Sequence, residues 1–217
     1  MALLGTVAGS AVLLAGLLFH PPTPENSPLA RAAVAGDVAA VRAQLEHGAD
    51  ANAMADHGCT VLDWAARFGQ VEAMRVLVDA GAQMDVQDQG PNGWTALMHA
   101  CHKGQTKAAL ALLEWGANPN QASADGTTPL MRAACEQQAE VVRALLDRGA
   151  DPRATNKNGA NVLSSCLNGG TSEIAMMVRE QAPDLGLPHD FSTILGLTMA
   201  RLRGDREMVA AVTKSQR

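Results

Sequence analysis

The side chains best suited to chemistry in this chain are six histidines and four cysteines, and none of them is spaced as a known site. The sequence contains no G-x-x-x-x-G-K-S/T loop, no G-x-G-x-x-G turn after a strand, no H-E-x-x-H helix and no C-x-x-C pair. His102 directly follows Cys101, but neighbours on a helix point about 100° apart and make poor joint metal ligands. The sequence therefore predicts no catalytic, cofactor or metal site, and the protein is interpreted as a non-enzyme.

A repeat of about 33 residues organises the chain. Leucines recur at intervals of 33, 35, 33, 33 and 34 residues, and a companion position follows seven residues behind each of them, occupied by glycine in five of six cases. A period of this length indicates stacked structural repeats. The leucines are Leu29, Leu62, Leu97, Leu130, Leu163 and Leu197, and the companions are Gly36, Gly69, Gly104, Gln137, Gly170 and Gly204.

Each repeat reads as a pair of short helices. Thr128-Pro129 combines an N-cap with a proline at the first helical position, which is a favoured helix start. A second helix carries Val141, Val142 and Leu145 at helical spacing, and Gly149 then stands where a helix C-terminus needs a positive φ. Such a pair is too small to bury its own apolar face, so the units are expected to stack into one continuous solenoid.

The unit from Asp125 to Pro152 resembles the ankyrin repeat, whose pattern is D-x-x-G-x-T-P-L-H-x-A-A-x-x-G, a second helix and G-A-D/N. The resemblance covers about 190 of the 217 residues and predicts an all-α ankyrin-repeat solenoid of about six repeats with finger loops. Residues 1–20 form a hydrophobic N-terminal segment, 21–26 a proline-rich linker and 27–217 the repeat domain. The predicted repeats are 27–55, 56–87, 88–122, 123–155, 156–191 and 192–217.

Three departures from the pattern are visible. The 35-residue interval between Leu62 and Leu97 predicts an elongated finger with two extra residues between Asp88 and Trp94. In the fifth repeat Ala182-Pro183-Asp184 replaces Gly-Ala-Asp, so its second helix is expected to stop at the proline. The sixth repeat lacks the Thr-Pro and the finger glycine, as expected of a terminal repeat that faces water.

The resemblance implies that protein partners bind to the finger tips and to the concave groove beside the first helices. Trp94 is the leading candidate, because aromatic and arginine side chains dominate interface energetics. Trp64 instead matches a buried leucine of the family, and Asp63 is interpreted as a polar residue that bonds the finger backbone. The predicted partner-binding residues are Trp94, Asn92, Arg67, Phe68, His102, Lys103, Asp125 and Glu136.

Composition narrows the possible functions. Hydrophobic residues make up 47% of the chain and aromatic residues only 3%, which suits small helices packed through alanine and leucine. The net charge of -5 argues against a general nucleic-acid binder, which would need a basic surface. The sequence also gives no sign of a small-molecule substrate.

The first residues are apolar enough to suggest a membrane anchor. Ala2 to Phe19 are 18 uncharged residues, which would span roughly 27 Å as a helix, against a hydrocarbon core about 30 Å thick. A cleaved secretory signal normally has a basic n-region, which is missing here, and a packed soluble helix would show amphipathic periodicity. A transmembrane helix fits best, and a cleaved or organellar targeting segment and a soluble helix remain as alternatives.

Two weaker observations indicate on which side of the membrane the repeat domain would lie. Arg31 and Arg42 follow the apolar segment, which favours a cytoplasmic location for the repeats. Four cysteines without a disulfide framework favour a reducing compartment. The leading interpretation is therefore a single-pass, membrane-tethered scaffold or accessory subunit of a larger membrane complex. The alternative is a soluble regulator or chaperone of a partner enzyme, exported or targeted to an organelle by a cleaved N-terminal signal.

Overall fold

The fold is a row of short helix pairs. The computed structural model describes residues 27–168, 172–187, 197, 200, 201 and 204–213. Apart from one isolated bridge between Met54 and Thr60, the regular structure within these ranges is helical. The helices are α1 (Pro28–Ala35), α2 (Val38–Glu46), α3 (Val61–Arg67), α4 (Val71–Asp79), α5 (Ala96–His102), α6 (Thr106–Glu114), α7 (Pro129–Cys135), α8 (Ala139–Asp147), α9 (Val162–Asn168), α10 (Ser172–Gln181) and α11 (Arg206–Thr213).

The first helices α1, α3, α5 and α7 begin at a hydroxyl N-cap, and α9 begins at Asn161, whose Oδ1 accepts from Ser164 N. Ser27 Oγ accepts from Ala30 N at 3.2 Å, and Thr128 Oγ1 accepts from Met131 N at 3.3 Å. Both caps are followed by a proline at the start of the helix, as the sequence predicted. Thr60 and Thr95 cap α3 and α5 in the same way.

The second helices α4, α6 and α8 begin at glutamines that join consecutive repeats. Gln70 Nε2 donates to Val34 O of the preceding first helix at 3.0 Å, and Gln138 Nε2 donates to Cys101 O. Gln105 Nε2 donates to Arg67 O at the equivalent position of the next repeat. A Cβ on Gly69 would lie only 2.4 Å from Gln105 Oε1. Gly69 is therefore required both by its φ of +71° and by the close approach of the next repeat.

The core runs the length of the row in two layers. The first helices α1, α3, α5, α7 and α9 pack on one another in sequence, and the second helices pack in a parallel layer beneath them. The repeat leucines from Leu29 to Leu163 are buried, and Leu197 is half-buried. One apolar cluster extends from Leu29 to Val212, so the predicted ankyrin solenoid is confirmed for the described part of the chain.

The fingers form a second row beside the first helices. Three fingers are closed by a backbone hydrogen bond between residues four positions apart, such as Ser123 N to Thr127 O at 2.9 Å. The finger of the third repeat is longer and closes between residues six positions apart, from Asp88 N to Trp94 O at 2.7 Å, which confirms the predicted elongation. Neighbouring fingers are joined by backbone bonds of 2.8 Å, including Ala124 N to Asn92 O.

Several predictions concern the ends of the chain. The helix α10 ends at Gln181, two residues before Pro183, as predicted. The proposed anchor from Ala2 to Phe19, the linker 21–26 and Gly170 lie outside the described residues. Within the residues that the structure describes, no helix is long and apolar enough to cross a membrane.

Candidate interaction surface

Trp94 lies at the centre of a group of side chains from two adjacent repeats. Its ring meets His99 and His102 of α5 edge-on, with centroid distances of 5.3 and 4.9 Å. The guanidinium of Arg132, from α7, lies 4.9 Å from the Trp94 centroid. The elongated finger brings Trp94 to this place because Trp94 is the residue that closes it. The ring is half-buried, so one part rests on its own chain and another part faces solvent.

His102 and Glu136 extend this group toward the ends of the first helices. His102 donates its Nδ1–H to Glu136 Oε1 at 3.2 Å, and about a third of each side chain is exposed. Burial lowers the pKa of His102, and the nearby cations Lys103 and Arg132 lower it further, which outweighs the opposing effect of Glu136. At neutral pH the imidazole is therefore neutral, and the contact is a hydrogen bond rather than an ion pair.

A second aromatic group occupies the preceding repeat. Trp64 is 2% exposed, which confirms the prediction that it packs in the core. Phe68 stacks on it with a centroid distance of 6.2 Å, and the Arg67 guanidinium lies 5.7 Å from its ring centroid. The indole Nε1 of Trp64 is buried without a hydrogen-bond partner among the described residues. Arg67 and Phe68 thus cover Trp64 and present only part of their own surface to solvent.

The remaining predicted residues are exposed, but they differ in the hydrogen bonds that they make within the protein. Lys103 and Asn92 are exposed. Among the described residues the side chain of Asn92 donates no hydrogen bond, and its backbone carbonyl accepts one from Ala124 N of the next finger. Asp125 accepts bonds from Ser123 and Thr127 within its own finger. Burial raises the pKa of Asp125, but these hydrogen bonds outweigh that effect and the pKa lies below its usual value. Asp125 therefore acts mainly within its finger.

A buried polar cluster lies between the second and third repeats, next to Trp94. It consists of Cys59, Asp63, Asp88 and His99. His99 donates its Nε2–H to Asp88 Oδ2 at 2.9 Å, and the same nitrogen lies 3.9 Å from Cys59 Sγ. Asp63 Oδ2 accepts from Thr60 N at 2.7 Å, as expected of a residue that bonds the finger backbone. Cys59 lies in the finger of the second repeat and is buried, because the elongated finger of the third repeat folds over it.

The electrostatics of this cluster follow from its burial. Burial raises the pKa of the Cys59 thiol to about 12, and the carboxylates of Asp63 and Asp88 add to the effect. Burial also raises the pKa of Asp63 to about 6, against the opposing influence of His99 and Thr60. Asp88 is buried as well, but its hydrogen bond from His99 and those from the finger backbone hold its pKa below the usual value.

The structure brings Trp94, His102 and Glu136 together and places Lys103 and Arg67 on neighbouring turns. Sequence reasoning missed Arg132, His99 and Asp88. The repeat pattern could have indicated two of them, because Arg132 and His99 each lie two residues after a repeat leucine, at the same repeat position as Trp64. That position faces the fingers. Asp88 gives no such signal, because its role depends on how the elongated finger folds.

Similar proteins agree with this architecture. Residues 9–88 and 80–156 match the ankyrin repeats family (three copies). The ankyrin repeat protein nuc-2 of Neurospora crassa is 40% identical over 97 residues, which are 44% of this chain and 9% of that protein. The E3 ubiquitin-protein ligase Ufd4 of Drosophila melanogaster is 36% identical over 91 residues, 42% of this chain and 3% of that protein. This chain spans less than a tenth of either relative, so the likeness concerns the repeats alone. With its stacked helix pairs and linked fingers, the chain belongs to the ankyrin repeat family.

Proposed function

We propose that this chain is a non-enzymatic protein–protein interaction module whose partner binds over Trp94. Ankyrin repeats imply a protein-binding role, and the stacking of the Arg132 guanidinium on the Trp94 ring carries the choice of surface. Aromatic and arginine side chains in such partly buried settings supply most of the energy of protein interfaces. The elongated finger supports the same choice, because its two extra residues are not needed for stacking.

The charges on this surface suggest the chemistry of the partner. Arg67, Lys103 and Arg132 are cationic in a chain whose net charge is -5. The nearby acids are engaged within the protein, Glu136 by His102 and Asp125 by its own finger. The surface is therefore suited to a protein that presents carboxylates beside an apolar or aromatic group.

Site-specific crosslinking tests this proposal. A photo-crosslinking residue at Lys103 of the full-length chain, expressed in its source organism with the membrane fraction retained, should give one discrete protein adduct. The matched control is Arg143, an exposed basic residue on the second helix α8 in the opposite layer. Equal labelling from both positions, or none from Lys103, would contradict the proposed surface.

We further propose that Ala2–Phe19 tethers the repeats to a membrane as a scaffold or accessory subunit of a larger membrane complex. The support is the length and apolar character of the segment in the sequence. The alternative is a soluble regulator or chaperone of a partner enzyme, released by cleavage of this segment. The intact mass of the mature protein decides between them. Retention of Ala2–Phe19 together with resistance to alkaline extraction from membranes supports the tether, and a mature protein without the segment supports the alternative.

A further inference from the structure

The buried polar cluster brings together side-chain atoms that could bind a metal ion. Cys59 Sγ, a carboxylate oxygen of Asp63 and a ring nitrogen of His99 all lie within 4.8 Å of one another. Asp88 Oδ2 accepts a hydrogen bond from His99 Nε2 at 2.9 Å and lies beside this group of three. These residues are 7%, 2% and 3% exposed for Cys59, Asp63 and His99, and the Asp88 side chain is 6% exposed. Isolated charged groups are costly at such positions unless they are paired or bind a cation.

The chemistry and spacing of the donors match one metal ion well. Zinc is bound by cysteine sulfur at about 2.3 Å and by histidine nitrogen or carboxylate oxygen at about 2.0–2.2 Å, in tetrahedral geometry. Those bond lengths place sulfur and nitrogen ligands about 3.6 Å apart, and nitrogen and oxygen ligands about 3.3 Å apart. Cys59 Sγ and His99 Nε2 lie 3.9 Å apart, and the donor atoms of Cys59, Asp63 and His99 lie within 4.8 Å of one another. A shift of a few tenths of an ångström would suffice for the sulfur–nitrogen pair.

We propose that Cys59, Asp63 and His99 form a zinc site that joins the second and third repeats, with water in the fourth tetrahedral position. The thiolate and imidazole select zinc over magnesium or calcium, which prefer oxygen ligands alone. Binding replaces the proton on Cys59 Sγ, which passes to solvent, and shifts the ring proton of His99 from Nε2 to Nδ1. One oxygen of Asp63 remains bonded to Thr60 N, and the other faces the metal.

The surroundings limit the affinity of this site. Metal-bound histidines usually donate their second nitrogen to a partner, and the loss of that contact lowers affinity about 10- to 100-fold. The Nδ1 of His99 is buried without a hydrogen-bond partner among the described residues, and the edge of Trp94 packs against the ring instead. The site should therefore bind zinc more weakly than one with a complete second shell. Zinc would also fix helix α5, on which Trp94 packs through His99, to the second repeat.

Cobalt titration tests the site directly. The full-length chain is freed of metal with a chelator and titrated with Co²⁺ under reducing conditions, which gives d–d bands of a four-coordinate ion and a thiolate-to-cobalt charge-transfer band. We expect saturation at one equivalent and displacement by Zn²⁺. The charge-transfer band should be lost in Cys59→Ser and kept in Cys166→Ser, which changes another buried cysteine in a different repeat.

A second measurement avoids any dependence on the folding of variants. Alkylation of the wild-type chain, followed by mass mapping, should show that Zn²⁺ protects Cys59 and leaves the labelling rate of Cys166 unchanged. A folded wild-type chain without a charge-transfer band overturns the proposal. A band that persists in Cys59→Ser, or equal labelling of Cys59 with and without Zn²⁺, overturns it as well. These results do not bear on partner binding at Lys103, so the zinc site and the interaction surface can fail separately.

Discussion

His99 donates a hydrogen bond of 2.9 Å from its Nε2 to Asp88 Oδ2, and this bond joins helix α5 to the start of the elongated finger. The two side chains are 4% and 6% exposed. A hydrogen bond between such buried groups fixes the position of the finger, and Trp94 at its other end is held over the same helix. The position of the proposed partner surface therefore depends on a buried contact that is not itself part of that surface.

Removal of this contact should be costly. In the presence of a chelator, Asp88→Ala leaves His99 Nε2 buried without an acceptor, and we expect a loss of about 1–3 kcal/mol in the free energy of unfolding. Asp79→Ala is the control, because Asp79 pairs with Arg75 at the surface, where both side chains are 56% exposed. Such a pair contributes about 0–1 kcal/mol. Urea denaturation measures both values, and equal losses would show that the His99–Asp88 bond is unimportant.

Trp94 and Trp115 provide a matched test of the partner surface. Both are half-buried tryptophans of the same repeat, and an arginine from a neighbouring repeat stacks on each, Arg132 at 4.9 Å and Arg75 at 5.5 Å. They lie in opposite layers, Trp94 beside the first helices and Trp115 at the end of the second helix α6.

We expect Trp94→Ala to weaken partner binding by more than about 1–2 kcal/mol. Trp115→Ala should leave the affinity unchanged, although both variants lose some stability. Calorimetry with the partner identified by crosslinking, paired with urea denaturation of each variant, separates the two effects. A loss of affinity no larger for Trp94→Ala than for Trp115→Ala would show that Trp94 does not anchor the partner, and would move the centre of the interface to the groove near Arg67 and Lys103.

The sequence predicts the scaffold well because the scaffold is periodic. The repeat leucines recur in each unit, and polar N-caps and glycines at helix ends recur in most of them, so that each unit supports the interpretation of the others. The length of the third finger also followed from the spacing between Leu62 and Leu97 alone. The polar cluster did not follow, because its four members come from two fingers and two helices and have no characteristic spacing. Its formation depends on how the elongated finger folds over Cys59.

Leu130 tests the predicted register of the repeats. It is buried in the first-helix layer, and Leu130→Ala should cost roughly 2–5 kcal/mol because it removes packing and leaves a cavity. Leu146→Ala is a matched control at a half-buried position of the same repeat, where a smaller loss is expected. Thermal unfolding of the two variants gives the comparison. An unchanged midpoint for Leu130→Ala would show that this residue does not belong to the core.

Gln137 occupies a position that other repeats give to glycine. Its φ is +59°, close to the +68° of Gly104 at the matching position, and a side chain is disfavoured in this conformation. We expect Gln137→Gly to stabilise the protein by up to about 0.5–1 kcal/mol. Gly104→Ala should destabilise it, although a Cβ there would meet no atom within 4 Å, so the loss would report backbone conformation alone. A destabilised Gln137→Gly would show that the glutamine side chain contributes more than its strain costs.

The C-terminal end should open more easily than the middle of the array, and Arg179 should control how easily. The stability of stacked repeats is approximately the sum of the units and their interfaces, so an atypical end unit frays first. Arg179 of α10 donates to the carbonyls of Ala211 and Val212 in the last turn of α11, and thereby ties the final helix to the fifth repeat. Arg179→Met keeps an apolar side chain of similar length but removes these donors. Hydrogen exchange should show Met208–Val212 less protected than Leu130–Leu146 in the wild type, with a further loss confined to α11 in the variant. Equal protection of both segments, or a loss spread over the whole array, would mean that the chain opens as a single unit.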